Sequence, residues 1–176
     1  MPWDEGLVNS LVYDRPDPNE GRVVSYAQAI NEALSLALEN DPNVFVLGQG
    51  VDDPTAMFGT TRGLPARFGH TRVFDTPLSE EAMMGVSTGA AMNGMRPIFM
   101  HNRPDFVLLA FNQLVTHATK FHFMDNGQTT VPLVVWAAIG RGWGSGAQHS
   151  QAIHGMLLGV PGLKIVMPST PYDAKG

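Results

Sequence analysis

The sequence contains no cysteine. Disulfides, thiolate nucleophiles and Cys-ligated zinc are therefore excluded. Positive charge is also short: 11 Lys and Arg stand against 16 Asp and Glu, a formal net charge of -5. Nucleic acids and anionic membranes are bound through basic surfaces, so neither is an expected partner. No continuous apolar run approaches the roughly 18 residues that a membrane-spanning helix needs. The first residues, Met1 to Glu20, carry acids early and have no apolar core segment. They do not read as a signal peptide, and the expected location is the cytoplasm.

Charge of either sign is scarce. Charged residues make up 15% of the chain, against about 25% in ordinary globular domains. A chain of 176 residues has much surface for its volume, and here too few charges to cover it. The expectation is one domain with part of its surface covered by another chain or domain.

What is present is an alternation of elements. Residues 1–24 read as an arm, with prolines, acids and Gly21 in the stretch Asp14 to Gly21. The domain is expected over 25–176. Ser25 and Gln28 form an S-x-x-Q capping box, followed by apolar residues at helical spacing up to Asn40-Asp41-Pro42. Val44–Gly48, Arg96–Met100, Leu133–Ala138 and Leu163–Met167 are short apolar runs of the kind buried on both faces of a parallel sheet, and Val73-Phe74 is a shorter one. Helical patterns lie between them at about 58–68, 79–94, 104–123 and 149–159. Strands alternating with helices predict an α/β fold with a mostly parallel sheet. In the helix at 79–94, Gly85 and Gly89 sit one turn apart, which suggests close approach of another helix, subunit or ligand.

Several motifs are weaker than they look. Gly85-Val86-Ser87-Thr88-Gly89 matches a hydrolase nucleophile elbow, but Asp75 to Glu81 reads as a loop and helix start, which puts Ser87 mid-helix. Gly142 to Ala147 matches G-x-G-x-x-A, yet no acid follows the next strand, so an irregular active-site loop fits better. Six histidines invite a metal, but 117/122 and 149/154 are five apart and face different sides of a helix. No metal site is expected. Glu80 and Glu81 follow Ser79 at a helix start, where acids complement the dipole. They also follow the strand end Val73-Phe74-Asp75, and ligands of α/β sheets sit at such ends.

Four segments carry a resemblance: Arg72 to Glu80, Gly89 to Ile98, Ala147 to Gln151 and Pro161 to Pro168. In order and spacing they resemble the beta subunit of 2-oxo acid dehydrogenase decarboxylase components, within the transketolase superfamily. The likeness runs from about residue 22 to 176. It implies the pyrimidine-binding domain of thiamine diphosphate enzymes, a three-layer sandwich with a mostly parallel central sheet. It further implies that Glu80 hydrogen-bonds the 1′ nitrogen of the cofactor's aminopyrimidine and so helps remove the thiazolium proton. By the same resemblance Phe106 stacks on the pyrimidine, Leu78 lines its pocket, and His149 stands near a small 2-oxo acid substrate. On spacing alone, Phe106 could instead be ordinary core and His149 a helix cap.

The sequence also departs from that pattern. Gln49 and Met100 stand where the family usually has acids, which puts a proton relay between paired active sites in doubt. His101 and Arg103, with Arg141, could instead shape an acceptor or substrate site, or Arg103 and Arg141 could be plain surface charge. No G-D-G motif occurs, so the diphosphate and its Mg²⁺ are expected to be held mainly by an alpha-type partner chain. The family's C-terminal domain is also expected to lie outside this sequence. Self-association into a dimer or heterotetramer is expected from the low charge fraction and the Gly85/Gly89 seam of the helix at 79–94. The rival readings are a transketolase-like carbon–carbon transferase and a degenerate structural subunit.

Overall fold

The computed structural model describes residues 21–176. Most of the expected arm thus lies outside the described residues. The first helix, α1 (Tyr26–Asn40), starts as its sequence predicts. Ser25 is the N-cap, and the Ser25 and Gln28 side chains each bond the other's backbone N–H. Such a box satisfies two of the donors that a helix start leaves orphaned.

Four parallel strands follow: β1 (Val44–Gly48), β2 (Val73–Asp75), β3 (Arg96–His101) and β4 (Val134–Ala137), in the order β2-β1-β3-β4. Every residue of β1 is buried. Its alternate side chains enter two cores. Val44 and Val46 join Leu34, Leu38, Leu64, Val73 and Met100 on one face. Phe45 and Leu47 join Met84, Phe99, Val107 and Leu114 on the other. The helix α3 (Glu80–Met92) supplies Met84 to that second face. Helices on both faces of a parallel sheet make the expected three-layer α/β sandwich, and the period of two explains why the strands read as continuous apolar runs. Arg72 pins the strand starts together: its guanidinium donates to the Val44 carbonyl at 2.7 Å and the Asp41 carbonyl at 2.7 Å.

Several segments differ from the sequence expectation. The pattern at 58–68 yields only a short helix, α2 (Leu64–Phe68). Ala56, Met57 and Phe58 all have positive φ, which no right-handed helix admits. The pattern at 104–123 is not one α-helix. It is a 3-10 helix (Pro104–Ala110), a π-helix (Asn112–Ala118) and a short α4 (Phe121–Met124). Tight and wide turns in succession average to nearly the α period, so side-chain spacing alone does not separate them. At 149–159 only α5 (His154–Leu157) forms; Gly155 and Gly159 disfavour more. A final α6 (Pro171–Lys175) packs on α1.

The largest correction concerns Leu163–Met167. It joins no strand ladder. A cavity of about 670 Å³ lies against both this segment and β4, lined by Val135, Trp136 and Ala137 on one side and Leu163 and Ile165 on the other. An apolar run reports that a segment suits burial, whereas pairing depends on where its ends are held. Here Gly162 is pressed against the Thr119 carbonyl, and the Tyr26 hydroxyl donates to the Pro168 carbonyl at 3.3 Å.

Candidate functional site

The strand order changes direction at β1. The chain steps to β2 on one side, then returns past β1 to β3 on the other. In open α/β sheets this switch leaves a crevice beyond the strands' C-terminal ends, and ligands bind there. The residues at those ends are Gly48-Gln49-Gly50, Asp75, His101-Asn102-Arg103 and the loop after Ala137. Asp75 closes one side by accepting from the Gly50 N–H at 2.6 Å.

Two residues far apart in sequence meet here. The rings of Phe106 and His149 stand edge to face with centroids 5.2 Å apart. Phe106 is half-buried in the 3-10 helix that follows β3. His149 is half-buried at the end of a glycine-rich loop, where Gly142, Gly144 and Gly146 all have positive φ. L side chains avoid that conformation, so the G-x-G-x-x-A match is indeed an irregular loop. Asp105 links the two sides: it is buried, and its carboxylate accepts the Gln151 N–H at 3.2 Å.

Gly140 is a point of close approach between two loops. A Cβ there would come within 2.3 Å of the His149 carbonyl oxygen and 2.9 Å of the Arg103 Nε. Arg103 is buried, with its guanidinium over the rings of Phe58 and Trp143. His101 is also buried, beside the Phe99 ring at 4.2 Å. Burial pushes its pKa down to about 4, because a charged imidazole would lose its hydration. The neutral ring is the form that persists at neutral pH.

The adjacent acids Glu80 and Glu81 differ. Glu81 is exposed and accepts from the Asn112 side chain at 3.0 Å. Glu80 is half-buried and accepts no hydrogen bond from the described residues. Leu78 is 84% exposed, so the described residues do not enclose it. Arg141 is exposed in the loop. Ser87 lies inside α3, fully buried, and its hydroxyl donates to the Met83 carbonyl at 2.8 Å. It has neither the exposure nor the turn of a nucleophile elbow. Met100 is 1% exposed within the apolar core. Among the described residues no three His, Asp or Glu side chains gather as a metal-binding group.

Sequence reasoning missed Phe58, Gly140 and the tie from Asp105 to Gln151. Phe58 had a helical context and Gly140 no local pattern at all. Their roles come from contacts across the fold.

The fold and this edge define a class: a parallel α/β domain with a topological switch point between β1 and β3. The chain belongs to the transketolase, pyrimidine binding domain family, whose model matches residues 22–176. Among curated proteins it is 47% identical over 154 residues to the 2-oxoisovalerate dehydrogenase subunit beta of Bacillus subtilis (strain 168), covering 88% of this chain and 47% of that protein. It is 42% identical over 167 residues to the acetoin:2,6-dichlorophenolindophenol oxidoreductase subunit beta of the same organism, covering 88% and 49%. It is 40% identical over 154 residues to the pyruvate dehydrogenase E1 component subunit beta of Acholeplasma laidlawii, covering 88% and 47%. The chain thus spans about half the length of these relatives.

Proposed function

We propose that this chain is the pyrimidine-binding part of a thiamine diphosphate-dependent enzyme that decarboxylates a 2-oxo acid, of the 2-oxo acid dehydrogenase type. The observation that carries the reading is the difference between the adjacent acids. Glu81 is spent on Asn112, while Glu80 offers a half-buried carboxyl with no partner among the described residues. A carboxyl of that kind, with the half-buried aromatic ring of Phe106, suits an aminopyrimidine that needs one hydrogen bond at a ring nitrogen and one flat apolar surface. When bound, the cofactor supplies the electron sink for decarboxylation. The chain's own work is placement and proton inventory. Glu80 holds a proton at the pyrimidine nitrogen, Phe106 stacks, Leu78 closes the pocket against a partner, and His149 exchanges protons near the substrate.

The partner is an alpha-type chain that holds the diphosphate and most of the Mg²⁺ coordination, in a cytoplasmic heterotetramer. The low charge fraction supports such an assembly. So does α3, where Val86 is 57% exposed and a Cβ at Gly89 would meet nothing within 4 Å. Leu109 on the following 3-10 helix is 59% exposed. The names of the relatives, all beta subunits, point the same way.

The test is a pair of variants in the assembled enzyme. Consecutive helical residues point about 100° apart, so only one of the two acids faces the cofactor. Glu80→Gln is expected to lower turnover by about 10²-fold or more, with a much smaller effect on cofactor affinity. Glu81→Gln is expected to leave turnover nearly intact and to change stability by a few tenths of a kcal/mol. Exchange of these behaviours would move the assignment by one residue. Full turnover in both variants would remove the thiamine mechanism from this chain.

A further inference from the structure

Arg103 carries a buried charge with no ion-pair partner among the described residues. Only 7% of the residue is exposed. No carboxylate among the described residues lies within ion-pair distance of it; the pairs that form involve other cations. One guanidinium nitrogen, Nη1, donates to the Asn102 carbonyl at 3.0 Å. The Nε is buried and meets no acceptor among the described residues. An uncompensated buried cation is costly, and a guanidinium cannot escape by losing its proton.

The surroundings hold this charge in place without neutralising it. The guanidinium carbon lies 4.8 Å from the Phe58 ring centre and 4.4 Å from that of Trp143. The two rings meet edge to face at 5.1 Å. Phe58 reaches this position through three successive non-glycine residues of positive φ, Ala56, Met57 and Phe58. Such conformations persist only where the fold imposes them. Gly140 leaves room for the Nε, which a Cβ would crowd at 2.9 Å. Aromatic faces stabilise a cation but accept no N–H bonds in the guanidinium plane. With one Nη1 N–H given to Asn102 and the Nε buried beside Gly140, the other N–H groups of Nη1 and Nη2 remain for a planar anion, which Arg binds in a two-pronged fashion.

The location matches a ligand rather than a surface contact. Arg103 lies two residues beyond the end of β3, at the switch between β1 and β3. Its carbonyl accepts the Phe106 N–H at 3.3 Å, and across Gly140 it adjoins the His149 backbone.

We infer that Arg103 is the anion-binding group of this site, and that it takes a second carboxylate of the substrate, distal to the reacting carbon. The substrate class is then a 2-oxo acid with an acidic tail. This rests on the decarboxylation proposed above, and that chemistry decides between the two ends of the substrate. In decarboxylation the bond between the carboxylate and the former carbonyl carbon breaks. The electron pair stays on that carbon, within the cofactor's electron sink, and carbon dioxide departs uncharged. An arginine clamped on the departing carboxylate would favour the ground state, whose charge is lost in the transition state, and would slow the step. A carboxylate that keeps its charge throughout can be held by Arg103 without that penalty.

The test compares 2-oxoglutarate with 2-oxopentanoate, the same carbon chain without the second carboxylate, in the enzyme assembled with its partner chain. Wild type is expected to prefer 2-oxoglutarate in kcat/KM. Arg103→Met should cut that preference by about 10²-fold, mainly through KM, with thiamine diphosphate affinity unchanged. Arg103→Lys, which keeps the charge and loses the fork, should fall between them; if the Met variant does not fold, a drop of about 10-fold in the Lys variant carries the test. Independently of turnover, glutarate added to the full chain should change tryptophan emission, and Arg103→Met or Trp143→Phe should remove that change. The inference is overturned if wild type shows no preference, or if Arg103→Met leaves the preference intact. It is equally overturned if both substrates suffer alike with weakened cofactor or partner binding, because Arg103 then serves the diphosphate or a partner carboxylate. Any of these results beside a Glu80→Gln variant that has lost turnover removes the Arg103 role alone. An active Glu80→Gln variant removes the thiamine reading instead.

Discussion

His101 should make this domain lose stability on mild acidification. The residue ends β3, is 4% exposed, and its Nε2 is buried without a partner among the described residues. Burial lowers its pKa from 6.5 to about 4. The unfolded chain therefore takes up a proton near pH 6.5, while the folded chain refuses it until about pH 4. Between those values the unfolded state binds more protons, so stability falls as pH falls. Each pH unit in that window is worth about 1.4 kcal/mol, giving about 2 kcal/mol lost between pH 7.5 and pH 5. That is a sizeable part of the roughly 5–15 kcal/mol that holds a domain folded. The acids with lowered pKa act lower down. Lys175 and Arg22 hold Glu32 below its usual value, Thr129 does the same for Asp125, and Thr170 and Ser169 for Asp173. Their contributions are lost only as pH falls through the carboxylate range. Urea unfolding of wild type and His101→Phe at pH 7.5 and pH 5 separates the cases. Phenylalanine keeps an aromatic ring against Phe99 and removes the titration. The wild type should lose about 2 kcal/mol more than the variant over this interval. An identical loss in both proteins would refute the argument and place the acid sensitivity elsewhere.

Two substitutions of glycine test the packing from opposite sides. Gly140→Ala puts a methyl group against the His149 carbonyl and the Arg103 Nε. It should cost about 1–3 kcal/mol in chemical denaturation, and in the assembled enzyme it should lower turnover by displacing the His149 loop. Gly89→Leu enters open space, so the chain alone should keep its stability or gain up to about 1 kcal/mol from helix propensity. The same leucine should weaken self-association or partner binding, as read by light scattering at micromolar concentration, if α3 is covered in the assembly. Undiminished association would mean that another face carries it.

These predictions turn on residues that are legible in the sequence to very different degrees. The α/β alternation, the cap at Ser25 and four of the five strands follow from side-chain period and turn chemistry, because burial on both sheet faces demands apolar runs of strand length. Glu80, Phe106 and His149 were marked by a family pattern of local segments. Their spacing could not say that Phe106 and His149 meet, nor that Glu81 is occupied by Asn112 while Glu80 is not. Elements whose hydrogen bonding varies along their length were not legible. The 3-10 and π turns between Pro104 and Ala118 average to a helical period, and Leu163–Met167 has the composition of a strand without its pairing. Least legible was the setting of Arg103. Whether an arginine is surface charge or a buried cation depends on what packs around it, and here Phe58, Gly140 and Trp143 come from two loops far from it in sequence. Local sequence encodes periodicity, caps and turns because those are interactions of near neighbours. Burial, orphaned donors and pKa arise from atoms brought together over long sequence distances, and only the tertiary structure decides them.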